Sequence, residues 1–158
     1  MISFLKPEEQ HQHKNGLGWV ANTATVEETA YIGPDALVYG NAGVYGDALV
    51  CGNAGVYGNA RIYGNAQVSG YAQVYGDVLV YGDAWVYGGA WETSPLYIQG
   101  TKHAITNCAF GKIAIGCEVH SFSKWKRDYK SIEKKSGYTP EQIKEYGLHI
   151  AHVIKMGK

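Results

Sequence analysis

The side chains able to do chemistry cluster in one short stretch. His103, Cys108, Cys117 and His120 place four soft ligands within eighteen residues, and Ser121, Ser123, Lys124, Lys126 and Arg127 follow directly. The His-x4-Cys-x8-Cys-x2-His spacing is not one that zinc sites use, and on a strand Cys117 and His120 would point to opposite faces. Neither a metal nor a cofactor is expected. Cys108 and Cys117 read instead as small buried hydrophobes. His120 sits where a strand ends before a basic helix. With Ser121, Ser123, Lys124, Lys126 and Arg127 it forms a candidate pocket for an anion, aided by the N–H groups of the helix N-terminus. The plain alternative is that these cations are a solvated helix face and that Trp125 lies on its apolar stripe.

Apolar stretches at Leu96–Ile98, His103–Phe110 and Lys112–Phe122, divided by Gly100-Thr101 and Gly111, read as short strands. Phe122, Trp125, Tyr129 and Ile132 then recur at helical spacing, and Gly137 ends that helix. Thr139-Pro140-Glu141-Gln142 opens a second helix, with Thr139 as N-cap and Gln142 reaching back, and Ile143, Tyr146, Ile150 and Ile154 form its buried stripe.

The first half of the chain is a repeat. Val20, Val26, Ile32, Val38, Val44, Val50, Val56, Ile62, Val68, Val74, Val80 and Val86 are twelve branched aliphatics six residues apart, each followed four positions later by a small residue, Val78 being the largest of these. Glycine stands at every sixth position from Gly40 to Gly88, usually before Asn or Asp. Ala-x-Val sets both residues on one side of a short strand, and Gly-Asn or Gly-Asp turns the chain. After each aliphatic comes a residue of the opposite face, Tyr39, Tyr45, Cys51, Tyr57, Tyr63, Ser69, Tyr75 and so on, in which tyrosines come in pairs with a small residue third. The repeat of six is therefore also a repeat of eighteen, and residues 20–91 make four three-sided coils. Residues 1–19 and the chain after the repeat are placed to cap the open sheet edges.

The twelve repeats resemble the left-handed parallel β-helix of hexapeptide-repeat proteins. The resemblance implies a mainly β fold of about four triangular coils, here followed by a small C-terminal α+β cap ending in two helices. The expected organisation is an N-terminal arm at 1–19, the β-helix at 20–92 and a basic α+β unit at 93–158. It also implies a homotrimer. The face that carries Tyr31, Leu49, Gln67 and Trp85 before the aliphatic and Cys51, Ser69 and Tyr87 after it, with few charges and bulky apolar residues, is the candidate interface. The alternative is that Tyr31 and Trp85 pack under the N-terminal arm or the C-terminal unit. Many such proteins are acyltransferases with a His general base in a loop between subunits. No His and no inserted loop interrupts Val20 to Val86, so His103 or His120 would have to serve, and the enzymatic reading ranks second. A zinc lyase of the carbonic-anhydrase type would need three His on the solenoid faces, which are absent.

A narrower likeness, carried by Asn15-Gly16-Leu17-Gly18-Trp19-Val20-Ala21, Tyr31-Ile32-Gly33-Pro34-Asp35-Ala36, the runs of Val-Tyr-Gly-Asn-Ala, and Ile115-Gly116-Cys117-x-x-His120, is similar to uncharacterised phage and prophage hexapeptide proteins of the polymer-forming type. It implies a phage-type binding protein that presents basic units to an anionic ligand, such as a nucleotide immune signal, or that blocks a host defence protein. A virion structural role is a further alternative, although four coils span only about 19 Å at the usual strand spacing. Nucleic acid ranks below a small anion, because no recognised motif accompanies the basic helix.

Charge sharpens this division. The chain of 158 residues has 14 Lys+Arg and 14 Asp+Glu. Residues 1–92 hold three basic and nine acidic groups, while 93–158 hold eleven basic and five acidic, so balances of −6 and +6 cancel. With 46% apolar residues, wholesale disorder is excluded. No apolar run approaches a bilayer-spanning length, Met1 to His13 lacks a signal layout, and three cysteines do not make a disulfide framework. A soluble cytoplasmic protein with no membrane partner is expected, in the host cytoplasm if phage-encoded.

Overall fold

Each six-residue repeat becomes a strand of two or three residues and a glycine corner. In the computed structural model, which describes residues 1–156, the strands Trp19–Ala21, Leu37–Val38, Gly55–Val56, Gln73–Val74 and Ala90–Trp91 stack in parallel as one sheet. Thr25–Val26, Gly43–Val44, Arg61–Ile62 and Leu79–Val80 form a second sheet, and Tyr31–Ile32, Leu49–Val50, Gln67–Ser69 and Trp85–Tyr87 a third. Partners are eighteen residues apart, as in Leu37 opposite Gly55 and Tyr31 opposite Leu49, so the unit is a parallel β-solenoid of about four turns. The last step is different. Ala90 pairs with Gln73 and Trp91 with Val74, seventeen residues apart, because the chain turns one residue early through the left-handed pair Gly88 and Gly89. Trp91 thereby takes the register position above Val20, Val38, Val56 and Val74, and its indole N–H donates to the Gly88 carbonyl at 2.8 Å.

The interior is the expected stack of aliphatic and alanine ladders, buried from Ala30 to Val86. Outside it, Tyr39, Tyr57 and Tyr75 stack at 4.7 and 5.1 Å between centroids, and Tyr45 stacks on Tyr63 at 4.9 Å. Each such pair contributes roughly 0.5–1.5 kcal/mol beyond area burial. Tyr75 ends its ladder by donating to Glu92, a bond that pushes the phenol up to about 12.

The corners require glycine for two separable reasons. Gly52 has φ +64°, and a Cβ there would stand 2.9 Å from the Gly70 carbonyl oxygen of the next coil. Gly76 has φ +72° and open space around the same position. Gly76→Ala should therefore lose only the left-handed backbone term, about 1–2 kcal/mol, while Gly52→Ala loses more because the coils must also separate. Urea unfolding of the two variants side by side measures the difference, and equal losses would rule out the crowding argument.

The N-terminal arm closes open edges. Gln10–Gln12 adds antiparallel to Trp19–Ala21, while Ile32 donates to the Asn15 carbonyl at 3.0 Å and accepts from the Gly18 N–H at 2.8 Å. Two of the three leading strand edges are thus paired, which removes templates for aggregation. Ile2 is fully buried, and the buried Gln10 amide holds the arm by accepting from the Ile2 N–H at 2.8 Å and donating to the Ile2 and Leu5 carbonyls at 3.1 Å.

The first compact unit ends at Pro95 and the second begins at Leu96. In the second, Tyr97–Gln99, Ala104–Ala109, Lys112–Ile115 and Glu118–Ser121 form an antiparallel meander, followed by α1 (Phe122–Lys135) and α2 (Pro140–Met156). The stretch read as one strand from Lys112 to Phe122 is two strands around Gly116-Cys117, and Phe122 already starts α1. Gly116 at φ +57° makes this tight turn. Ser121 caps α1, Gly137 at φ +70° ends it, and Thr139 and Gln142 exchange capping hydrogen bonds at 3.0 and 3.3 Å. The core joins Ile105, Ile113, Ile115, Trp125, Tyr146 and Ile150, and on α2 Val153 is fully buried where Ile154 is only half-buried. Among the described residues no helix is long and apolar enough to cross a membrane.

Candidate functional site in the C-terminal unit

The anion pocket expected at the start of α1 is largely satisfied from within. His120 Nε2 lies 2.8 Å from a Glu118 carboxylate oxygen, and its ring meets Trp125 edge-on at 5.2 Å. Ser121 Oγ accepts from the Lys124 N–H at 3.3 Å and lies 3.0 Å from Ser123 Oγ. Arg127 grips Asp128 through two hydrogen bonds of 2.9 and 2.8 Å. That guanidinium holds the Asp128 carboxyl below the usual carboxylate range, with Lys124 and His120 adding to the pull. His120, Lys124 and Arg127 thus share one neighbourhood, but it already contains its own carboxylate.

Lys126 lies elsewhere. It borders a groove of about 400 Å³ between α1 and α2, with Lys155 also on its border and Tyr129, Gly147, Ile150, Ala151 and Ile154 lining the rest. Gly147 lets the Tyr129 ring lie close against α2, since a Cβ there would stand 2.8 Å from it. An apolar lining with an aromatic ring and two ammonium groups is the composition of a small-ligand site for an anion with a flat or apolar body. The outer side of α1 strengthens the positive field: Lys124, Lys126, Arg127, Lys130, Lys134 and Lys135 are all exposed, and of these only Arg127 forms a close ion pair, with Asp128, which Lys124 influences at longer range.

A second feature was not singled out in the sequence. Glu133 is 1% exposed, and neither carboxyl oxygen has a hydrogen-bond partner in the described structure. Burial pushes its carboxyl up to about 7. It lines a cleft of about 30 Å³ together with His103, Cys117, Glu118, Trp125, Ser136 and Tyr138. Position 133 follows Tyr129 by four and Trp125 by eight, so it lies on the apolar stripe, and that placement is the signal that could have found it.

The cysteines divide. Cys108 is buried, and burial pushes its thiol up, as fits a small hydrophobe. Cys117 does not follow that expectation, because the Gly116-Cys117 turn leaves it exposed at the cleft. Among the described residues no three His, Cys, Asp or Glu groups are placed to hold one metal ion. On the solenoid, Tyr31, Leu49, Gln67 and Trp85 align in one register row, as do Ser69 and Tyr87, with Cys51 following Val50 on the same face. Tyr31 is 36% and Tyr87 57% exposed, and the arm reaches this face at Tyr31, where a Cβ on Gly16 would stand 2.9 Å from the ring.

Comparison with known proteins bears on the solenoid alone. No curated protein and no solved structure matches the chain. Residues 54–70 and 72–88 match the family described as YdcK Beta solenoid repeat, so this part of the chain is similar to that family's repeats and the protein is a β-solenoid repeat protein.

Proposed function

We propose that this is a non-enzymatic binding protein, a β-solenoid scaffold whose basic C-terminal unit takes up an anionic ligand of the nucleotide class. The observation that carries the reading is the set of six exposed cations on α1 with a single ion-paired member, beside a groove of about 400 Å³ bordered by two lysines and lined by Tyr129. Lysines supply charge for phosphates and the aromatic ring a surface for a base. In this reading the scaffold is a homotrimer joined along the Tyr31, Leu49, Gln67 and Trp85 face, and the phage likeness makes the ligand a nucleotide immune signal of the host.

Native mass spectrometry of the full chain against cyclic and linear nucleotides tests ligand and assembly together. The expected species is a trimer retaining one nucleotide per subunit. Lys126→Glu with Lys155→Glu should abolish retention, whereas Lys124→Glu with Arg127→Glu, at the internally satisfied end of α1, should weaken it only through the general field. No retained nucleotide across the panel would overturn the binding reading, and a monomer would overturn the assembly.

A further inference from the structure

Glu133 is a carboxyl without a counter-ion. Burial alone accounts for its raised proton affinity, since no neighbouring cation lowers it. A buried, unpaired carboxylate is costly, and a natural core retains one rarely without a use. The groups around the cleft share one electrostatic character. Trp125 and Tyr138 present aromatic rings, Glu118 adds a second carboxylate, and Ser136 is the C-cap of α1, where the helix dipole is negative. An ammonium already uses this end of the helix: Lys102 Nζ donates to the Ser136 and Gly137 carbonyls at 2.8 and 2.9 Å and sits 4.4 Å from the Tyr138 ring centroid. It makes no hydrogen bond to Glu133, whose oxygens remain unpartnered.

We infer that the cleft beside Glu133 binds a primary ammonium group, which the Glu133 carboxylate neutralises and the Trp125 and Tyr138 rings enclose. Size sets the class. A cavity of about 30 Å³ is two to three times the roughly 10–15 Å³ that a single water needs on the same measure, which is room for an ammonium head and little more. An –NH3⁺ head fits this limit and a quaternary ammonium does not. A metal ion is disfavoured by the placement of the neighbouring side chains, none of which completes a ligand set with Glu133. Binding is coupled to proton release, since the cation selects the ionised carboxylate. The other groups that can titrate at the cleft are His103, Cys117, Glu118 and Tyr138, with Lys102 over the Tyr138 ring. Of these, a protonated His103 would oppose the cation.

The test follows the Glu133 carboxyl carbon and the Trp125 indole N–H by NMR in the full chain, during titration with methylammonium chloride. Sodium chloride at equal ionic strength and tetramethylammonium chloride are the comparisons. At ten times its dissociation constant methylammonium should lower the proton affinity of Glu133 about tenfold and shift the Trp125 signal saturably. The two comparison salts should do neither, and Glu133→Gln should abolish the saturable Trp125 shift. Equal titration midpoints in methylammonium and sodium chloride would overturn the inference, whatever the folding of the variant. Nucleotide retention is read on a different surface, so this outcome stands apart from the fate of the anion-binding proposal.

Discussion

Replacing Glu133 by Gln is expected to remove a decline in stability that the native protein shows as the pH rises from about 4.5 to about 7. In the folded state the carboxyl titrates at about 7 because burial penalises its charge, against 4.5 in an ordinary setting. Below the lower value both folded and unfolded chains hold the proton, and the buried group is neutral. As the pH passes 4.5 the unfolded chain releases its proton while the folded chain still keeps it, so unfolding gains free energy. Above about 7 the folded state is ionised too, and the difference has reached its full size of about 3 kcal/mol. The amide of Gln carries no charge at any of these values. Unpaired amide burial costs about 1–3 kcal/mol on its own account, but that term does not vary with pH. The carboxyls of Asp128, Glu141 and Glu145 are held low, so their contributions change at more acid pH, and the six histidines are common to both chains, so the difference between native and variant isolates Glu133. Urea unfolding from about pH 5 to 8, in phosphate free of amines, should give a midpoint that falls more steeply with pH for the native chain than for Glu133→Gln, the gap between the two growing to about 3 kcal/mol. Parallel slopes would sink the assignment.

The two halves of the chain differ in how much their sequences disclose, and the reason is physical. In the solenoid every coil repeats one packing problem, so Val20 to Val86 and the glycine corners specify strand, register and number of sides at once. The exception is the last coil, where Gly88-Gly89 shortens the step to seventeen and brings Trp91 over the ladder. That shift depends on the doubled glycine and is invisible to a count of six. In the C-terminal unit the capping signals at Thr139, Gln142 and Gly137 are local and readable, while the split of Lys112–Phe122 turns on one left-handed residue, Gly116. The candidate sites depend on which partners the fold supplies. Arg127 meets Asp128 and His120 meets Glu118, both close in sequence, whereas Lys126 borders a groove that Lys155 completes from the other helix. Glu133 was legible as the acid on the apolar side of α1, but its isolation from every donor is a property of the packed core.

Tyr146→Phe should cost this unit about 2–4 kcal/mol, an effect out of proportion to the loss of one oxygen atom. The fully buried hydroxyl donates to the His103 carbonyl at 2.7 Å and accepts from the N–H groups of Lys102 and His103 at 3.0 and 2.6 Å. It therefore satisfies the Lys102 and His103 N–H groups and shares the His103 carbonyl with the Gly100 N–H, which reaches it at 3.3 Å. The two N–H groups that Phe leaves unpaired in a partly buried setting cost about 1–3 kcal/mol each, reduced where water enters. A second tether from α2 is the neighbouring Glu145, which accepts from the Thr101 N–H at 2.9 Å and from its hydroxyl at 2.5 Å. Space for the phenol is made by Gly100, where a Cβ would stand 2.4 Å from the hydroxyl oxygen. The ring itself is retained in Phe, including its edge-on packing at 5.0 Å against Tyr138, so apolar burial is nearly unchanged and the loss reports the hydrogen bonds. Urea unfolding gives the size of the effect, and hydrogen exchange gives its place: the amides of Lys102 and His103 should exchange far faster while the α2 amides follow only the global loss. Because His103 also lines the Glu133 cleft, loosening this turn admits water there, and the Glu133 carboxyl should titrate closer to its ordinary value in Tyr146→Phe than in the native chain. A variant that loses less than about 0.5 kcal/mol, a loss within the range of ordinary surface changes, would show that water replaces the hydroxyl without penalty and that the turn does not depend on α2.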